Sequence, residues 1–481
     1  MQHSNRMTAP TPELLNALAE CLEPKGFTTD TADMAPWLSD WRGTVHGAAA
    51  AMLSPASTEE VQAVVRLCAA AGTPLTMQGG NSGMAAGATP GASGDGLLLS
   101  LRRMNRIRTI DPDAMLMQAD AGVILSTAHE FAEAKGLRFP LTLGGKGSAT
   151  LGGLTSTNAG GTQVLRHGTM RGLIAGLEVV RADGSLLDLM TPLAKDNQGP
   201  DPKAPFVGSE GTLGIVTGVT LRLVPAVTAR AVGWIAVESP TAALTLLRRF
   251  ERELGRALEG FELLPDRALA AVLDHIPDTR APLEPRRDWY ALVEVIADRT
   301  GEDPSEQLQC ALESAFADGA VIDATIAASE AQAEAFWKLR DSISEAERAI
   351  GPALQHDISV PVAKMPDYIE RVPDVLSAEF PGVTALAFGH LGDGNVHFHV
   401  RPPVASDARA WITVHGVGVS RAVYREVMAR GGSISAEHGI GRTKRAMLAE
   451  FADPARIALL RAMKAAFDPA GLLNPGVLLP D

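Results

Sequence analysis

Residues 74–87 read Pro-Leu-Thr-Met-Gln-Gly-Gly-Asn-Ser-Gly-Met-Ala-Ala-Gly, an apolar strand pattern that runs directly into a glycine-rich loop. A helix predicted from a Ser57 cap to about Ala71 precedes this strand, and the apolar run 50–53 precedes the helix. A glycine-rich loop after such a strand–helix–strand unit exposes successive backbone N–H groups, which can hold a pyrophosphate. The alternative is a flexible surface loop, because the segment is neither a Gly-x-Gly-x-x-Gly fingerprint nor a Walker loop.

Two further segments are rich in glycine. Residues 144–161 consist mostly of Gly, Ala, Ser and Thr, and we expect no part of this run to have the bulk for a hydrophobic core. Backbone wrapped closely around a large ligand is the favoured interpretation, because the flanking sequence is regular and carries few charges. Residues 208–216 form a third glycine-rich turn that enters a predicted strand.

A histidine-rich stretch, Gly389–His399, carries a second kind of chemistry. Apolar residues alternate with His397 and His399, which predicts a strand with both imidazoles on one face, and His390 lies before it across a Gly-Asp-Gly turn. With Glu437, His390 and His397 form the donor set of a divalent metal site that keeps an open position. His438, next to Glu437 in the sequence, could then act as a base. The alternative is a hairpin whose histidines are hydrogen-bonded core residues.

The composition limits the classes of function. With 481 residues the chain is too long for one core, so two or three domains are expected. A net charge of -13 argues against nucleic acid or an anionic membrane as partner. Three widely spaced cysteines suggest no disulfide framework, and no secretory signal or transmembrane run is visible, so a cytoplasmic location is expected, with peripheral membrane attachment as the alternative.

Five motifs together resemble the FAD-linked D-2-hydroxyacid dehydrogenases, the family of D-2-hydroxyglutarate dehydrogenase, D-lactate dehydrogenase and the glycolate oxidase flavin subunit. They lie at 78–84, 152–161, 208–216, 390–399 and 437–441. The resemblance implies an α+β protein with a vanillyl-alcohol-oxidase (PCMH)-type FAD-binding domain. The implied organisation is a helical N-terminal segment, the FAD-binding domain, an antiparallel-sheet cap domain and a C-terminal segment returning to the flavin, at 1–47, 48–225, 226–425 and 426–481.

The resemblance also implies which residues hold FAD. The first loop would bind the pyrophosphate and the second would wrap the ribityl chain and the ring. Because the first loop contains no histidine, the flavin is expected to be non-covalent. The expected contacts are Gln78, Gly79, Gly80, Asn81, Ser82, Gly83, Met84, Gly87, Gly145, Gly152, Gly153, Thr157, Asn158, Gly160, Gly161, Ile215 and Asn474.

Within that family Arg340 and Ser344 correspond to residues that bind the substrate carboxylate, and their spacing places them one turn apart on a predicted helix. Arg340 could equally form a salt bridge with a neighbouring carboxylate. Gln355 stands where the family's dicarboxylate enzymes carry a lysine, and His399 where they usually carry asparagine. Both differences weaken the case for 2-hydroxyglutarate itself, and the resemblance makes zinc the expected metal, with Mn²⁺ or Fe²⁺ as alternatives.

The implied activity is oxidation of a D-2-hydroxy acid, such as D-lactate or a D-2-hydroxyglutarate-like compound, to the 2-oxo acid. A hydride would pass to flavin N5, and electrons would leave to an electron-transfer flavoprotein, a quinone or a cytochrome rather than to NAD. One alternative is an oxidase that uses O2 on another alcohol or hydroxy acid. Another is a non-catalytic flavin subunit of a larger complex, and a homodimer is also compatible with the sequence.

Overall fold

The structure, a computed structural model, describes residues 7–193 and 195–480. The chain forms two compact units. The first unit contains residues up to Gly161, His167–Pro225 and the segment from Glu437 onwards, and the second contains Thr162–Arg166 and Ala226–Ala436. The second unit therefore extends past the expected cap boundary at 425, which lies inside a helix.

The elements are numbered in chain order, starting with those before residue 226. The helices are α1 (Pro12–Cys21), α2 (Thr31–Met34), α3 (Thr58–Ala71), α4 (Leu125–Glu133), α5 (Leu151–Thr157), α6 (Val164–His167) and α7 (Met170–Leu173), with a 3-10 turn at Ala35–Trp37. The strands are β1 (Phe27–Thr28), β2 (Met52–Leu53), β3 (Leu75–Gln78), β4 (Leu97–Ser100), β5 (Ile107–Asp111), β6 (Leu116–Asp120), β7 (Leu137–Arg138), β8 (Ile174–Val180), β9 (Leu186–Leu189), β10 (Ile215–Arg222) and β11 (Val224–Pro225).

The remaining elements follow from residue 226. The helices are α8 (Pro240–Glu253), α9 (Asp266–His275), α10 (Pro304–Ala317), α11 (Glu330–Asp341), α12 (Ile343–Ile350), α13 (Met365–Glu379), α14 (Ala408–Ala429), α15 (Arg445–Phe451) and α16 (Pro454–Phe467), with 3-10 turns at Gly255–Ala257 and Val362–Lys364. The strands are β12 (Ala229–Val237), β13 (Leu258–Pro265), β14 (Trp289–Ala297), β15 (Asp323–Ile326), β16 (Leu354–Ser359), β17 (Thr384–His390) and β18 (Asn395–Arg401).

The first unit contains two larger sheets. A four-stranded sheet has the order β1-β2-β4-β3, in which β2, β4 and β3 run parallel, and a five-stranded antiparallel sheet has the order β5-β6-β10-β8-β9. The helix predicted from Ser57 to about Ala71 is confirmed as α3. The Ser57 side chain accepts a hydrogen bond from Glu60 N, and Gly72 ends the helix at φ 68°. Its buried residues recur at helical spacing and join the core of this unit.

The second unit is built on a seven-stranded antiparallel sheet with the order β15-β12-β14-β13-β17-β18-β16. Strands β12 and β14 are buried along most of their length, and α10 buries one apolar face. Trp234 and Tyr290 are fully buried between this sheet and its helices. The turn 391–394 joins β17 to β18, so the histidine-rich stretch is an antiparallel hairpin.

Two expectations about local structure were wrong. Within 144–161 the chain forms helix α5, and Leu151 and Leu154 enter the hydrophobic core, so this run does contribute bulk. The single helix expected to carry Arg340 and Ser344 is interrupted at Ser342, where α11 ends and α12 begins. In the described part of the chain, no helix combines the length and apolar character needed to span a bilayer.

Candidate active site

A cleft in the first unit is lined by all three glycine-rich segments. Its volume is ≈ 950 Å³, which includes solvent-filled space at its open mouth. His438 lines it as well. The expected FAD contacts that line it are Gln78, Gly79, Gly80, Asn81, Ser82, Gly83, Gly87, Gly152, Gly153, Thr157, Ile215 and Asn474.

The other expected FAD contacts, Met84, Gly145, Asn158, Gly160 and Gly161, are not part of this lining. Two of them have structural roles. The Asn158 side-chain oxygen accepts hydrogen bonds from the Thr169 hydroxyl and from Arg171 N at the end of α5. Gly161 packs so closely that a Cβ would lie 2.0 Å from Thr142 O.

The first loop is held in one shape by its neighbours. At the end of β3 the Gln78 amide donates hydrogen bonds to Trp37 O at 3.0 Å and to Ala88 O at 2.9 Å, which closes the loop at both ends. A Cβ on Gly80 would lie 1.7 Å from Ser148 O. Glycine is therefore required here because the first and second glycine-rich segments are in direct backbone contact.

Two buried side-chain oxygens on the cleft wall fit a ligand that carries hydrogen-bond donors. Asn474 donates to Gly87 O and Glu210 O, but its Oδ1 atom is buried and has no hydrogen-bond partner among the described residues. Gln78 Oε1 is likewise buried and has no hydrogen-bond partner among the described residues. Because buried polar atoms are normally satisfied, these oxygens indicate a polar ligand in the cleft, and the ring N–H and ribityl hydroxyls of FAD supply such donors.

The His438 loop is attached to the cleft wall by Glu210. The carboxylate of Glu210 accepts hydrogen bonds from Ile440 N at 2.8 Å and Gly441 N at 2.7 Å. Burial raises the pKa of the Glu210 carboxyl, and the two N–H groups oppose that rise.

In the second unit, the hairpin of β17 and β18 presents its imidazoles on one face of the sheet, as the alternation predicted. The Phe388 ring lies between His397 and His399, with ring centroids 5.1 and 5.4 Å away. The His390 ring is 5.5 Å from that of His397. His390 pairs with Asn395 at the turn of the hairpin, which brings its ring onto the same face.

Glu262 of β13 connects two of the predicted site residues. Its Oε1 atom lies 2.5 Å from His390 Nδ1, and its Oε2 atom accepts a hydrogen bond from Arg340 Nε at 2.8 Å. Arg340 Nη2 is also 3.2 Å from His390 Nε2. Burial opposes ionisation of Glu262, but the charges of Arg340 and His390 outweigh it and hold the pKa of this carboxyl far below its usual value.

The four residues expected to bind substrate lie in different surroundings. Arg340 is largely buried, and its ion pair with Glu262 is much shorter than its 3.8 Å separation from the neighbouring Asp341. Ser344, the second residue of α12, is exposed. Gln355 of β16 is the strand partner of His399 in β18, so these two side chains are direct neighbours on the sheet.

A buried carboxylate lies beside His399. The Glu347 carboxylate is 3.4 Å from His399 Nδ1 and forms a 2.9 Å ion pair with Arg401. Burial raises the pKa of Glu347, but the hydrogen bond from His399 and the charge of Arg401 lower it more, so the net shift is downward.

The residues expected to bind metal are divided between the units. His390 and His397 lie next to each other in the second unit, and Glu262 orients the His390 ring through its Nδ1 atom. Glu437 is the first residue of the C-terminal part of the first unit. It follows Ala436, whose N–H donates to Asp357 O, and Asp357 is the strand partner of His397. Two imidazoles and a carboxylate suit zinc, and also manganese or iron.

Comparison with known proteins agrees with this picture. Residues 49–190 match the family model described as FAD binding domain, and residues 227–478 match FAD linked oxidases, C-terminal domain. The chain is 36% identical over 465 residues to D-2-hydroxyglutarate dehydrogenase of Stutzerimonas stutzeri, covering 97% of this chain and 98% of that protein. The mitochondrial D-2-hydroxyglutarate dehydrogenase of Bos taurus is 34% identical over 96% of this chain and 83% of its own length.

The chain belongs to the FAD-linked D-2-hydroxyacid dehydrogenase family. This confirms the resemblance carried by the five motifs, and with it an FAD-binding enzyme of the hydroxy-acid dehydrogenase type. A solved structure of p-cresol methylhydroxylase with substrate bound superimposes with a TM-score of 0.74 at 15% identity, covering 98% of this chain and 96% of that one. That similarity confirms the PCMH-type α+β fold.

Glu210 and Glu262 were not among the predicted site residues of this family member. Glu210 lies inside the third glycine-rich turn, so a charged residue within a run of small ones was an available signal. Glu262 is itself buried, within a strand that is buried along its whole length, and contacts residues far away in sequence. Nothing in the local sequence predicts its partners.

Proposed function

We propose that this protein oxidises a D-2-hydroxy acid to the corresponding 2-oxo acid, with His438 as the base that takes the hydroxyl proton. The FAD supplies the acceptor for the hydride that leaves Cα. The observation that carries the proposal is that His438 lines the same cleft as the glycine-rich segments of the FAD-binding domain. Imidazole is suited to this role because its ordinary pKa lies near neutral pH.

Substrate recognition is proposed to involve Arg340, with Ser344, Gln355 and His399 as the other candidates. Support comes from the chemistry of the guanidinium, which binds a carboxylate in two-point geometry and is held here by Glu262. D-lactate and D-2-hydroxyglutarate-like acids are the proposed substrates. Only Gln355 and His399 bear on the choice between them, because they stand where the dicarboxylate enzymes carry a cation and an amide.

A divalent metal, zinc in the first instance, is proposed to be held by His390, His397 and Glu437. When bound, it would acidify the substrate hydroxyl. The adjoining imidazoles and the carboxylate that orients His390 support this assignment. Electrons are proposed to leave to an electron-transfer flavoprotein, a quinone or a cytochrome, because the first two glycine-rich segments lie within the region that matches an FAD-binding domain and no nicotinamide fingerprint accompanies them.

The experiment is anaerobic reduction of the purified flavoprotein by D-lactate, D-2-hydroxyglutarate, D-malate and glycolate, with and without a chelator. We expect the flavin absorption to bleach with a D-acid and not with its L-isomer. Replacing His438 by Ala should slow bleaching by about 10²- to 10⁴-fold, whereas replacing the exposed His415 should not.

Bleaching by none of the acids would contradict the proposal. Stoichiometric peroxide during aerobic turnover would assign the oxidase alternative instead. Turnover with electron-transfer flavoprotein, a soluble quinone or cytochrome c, compared with NAD, identifies the class of acceptor. Metal analysis of the wild type and of a His397→Ala variant tests the metal site separately from activity.

A further inference from the structure

We propose that Glu210 is a positioning residue for His438, acting through the loop that follows the histidine. The inference deepens the proposed function and rests on it, because it takes His438 to be the base. Glu210 holds two consecutive backbone N–H groups of residues 440 and 441, and these lie directly after His438 and Gly439.

The geometry around Glu210 indicates a rigid attachment. Its side chain is almost completely buried, and each carboxylate oxygen accepts one backbone N–H at 2.7–2.8 Å. Its own backbone is fixed as well, since its N–H donates to Ser156 O at 2.7 Å and its carbonyl accepts from the Asn474 side chain at 2.6 Å. One residue thus joins three segments that line the cleft.

The backbone of residues 439–442 packs closely against Glu210 and against the first glycine-rich loop. Gly439 has φ +74°, and a Cβ there would lie 2.8 Å from Glu210 Oε1. Arg442 N donates to Ala85 O at 2.9 Å, and a Cβ on Gly441 would lie 1.9 Å from the same oxygen. The backbone after His438 is therefore fixed between Glu210 and the first glycine-rich loop.

This arrangement assigns Glu210 an indirect role. Each of its oxygens accepts a backbone N–H of the loop, so the carboxylate acts on the position of that loop. A base must be held within hydrogen-bond reach of the proton that it removes, and a displacement of about 1 Å can cost on the order of 10²-fold in rate.

The first test is Glu210→Gln, in which an amide NH₂ must face one of the two N–H donors. We expect backbone amides of residues 437–443 to exchange with solvent deuterium at least about tenfold faster. In the flavin-loaded enzyme, the rate of flavin reduction should fall by about tenfold or more with a smaller change in KM, and its dependence on pH should shift. A role in stability alone would leave that pH dependence unchanged.

The control is Asp40→Ala, because an asparagine at position 40 would keep both N–H bonds through its Oδ1 atom. Asp40 is a buried carboxylate in the same unit that accepts Thr44 N and Val45 N, both at 2.7 Å. We expect faster exchange at residues 40–47 and the wild-type pH profile.

A second variant, Gly439→Ala, disturbs the same contact from the loop side and leaves Glu210 in place. It should reproduce the kinetic change and the faster exchange of residues 437–443. Gly136→Ala is its control, because Gly136 has φ +69° and no neighbour within 4 Å of a Cβ, so it has the same backbone strain without the contact.

The outcomes separate the two proposals. Wild-type exchange at 437–443 in both Glu210→Gln and Gly439→Ala would overturn the attachment, and so would a wild-type pH profile in a variant that exchanges faster. If the Glu210→Gln variant does not fold, the exchange rates and pH profile of Gly439→Ala provide the test of the attachment. Faster exchange together with full activity of His438→Ala would retain the attachment but contradict the proposed base.

Discussion

Glu262 Oε1 lies 2.5 Å from His390 Nδ1, and the two residues are direct partners on neighbouring strands β13 and β17. The second oxygen of the same carboxylate holds Arg340. A carboxylate at Nδ1 fixes the orientation of an imidazole and increases the basicity of its Nε2 atom. One buried glutamate therefore orients both a proposed metal ligand and the proposed substrate-binding cation.

Replacing Glu262 by Gln should weaken metal binding by about 10- to 100-fold, because His390 loses its orienting partner. The buried charge of Arg340 would also lose its counter-charge, which should destabilise the fold by about 3–5 kcal/mol. Metal affinity is measured by competition with a chromogenic chelator, and stability by urea unfolding.

Glu259→Gln is the matched control, since Glu259 is a buried glutamate of the same strand that pairs with Arg166 at 3.1 Å. It should lose comparable stability and keep its metal. Equal loss of metal from both variants would show that Glu262 contributes only to stability.

The Glu347 carboxylate should make stability sensitive to acid. Its pKa in the folded protein is lowered from 4.5, so the unfolded chain takes up its proton at higher pH than the folded protein does. The stabilisation is therefore complete well above 4.5 and is lost as the pH falls through the folded pKa. Replacing Glu347 by Gln should make the free energy of unfolding less dependent on pH below about pH 4.5. Replacing the exposed Glu345 by Gln should leave this pH dependence as in the wild type.

The sequence predicted elements that depend on local pattern. Helix α3 was predicted from its Ser57 cap and Gly72 terminus, and the imidazole face of β18 from strict alternation. It did not predict that the helix is interrupted at Ser342, because the helical spacing of apolar residues continues across the junction between α11 and α12. Contacts such as that of Glu262 with Arg340 arise from tertiary packing between distant segments, so no local signal precedes them.

Glycines within one loop should differ sharply in their tolerance to substitution. Gly80→Ala places a methyl group against Ser148 O, whereas Gly83→Ala meets nothing within 4 Å in the protein. We expect Gly80→Ala to lose about 1–3 kcal/mol of stability and most of its bound FAD. Thermal unfolding of the flavin-free proteins makes the comparison, and equal stability of the two variants would contradict the close contact between the loops.

A cation at position 355 should move preference towards a dicarboxylate. Gln355 is the direct strand partner of His399, so a lysine there would add positive charge beside the imidazole face. A charged hydrogen bond to a second carboxylate contributes about 1.5–3 kcal/mol. Replacing Gln355 by Lys should therefore raise kcat/KM for D-2-hydroxyglutarate relative to D-lactate by about tenfold or more.

Gln355→Met is the control for that change, because it keeps the length of the side chain without adding a charge. It should leave the ratio of the two kcat/KM values near that of the wild type. If the lysine and methionine variants give the same ratio, position 355 does not contact the distal end of the substrate. The preference would then have to be assigned to His399, where replacement by Asn provides the corresponding test.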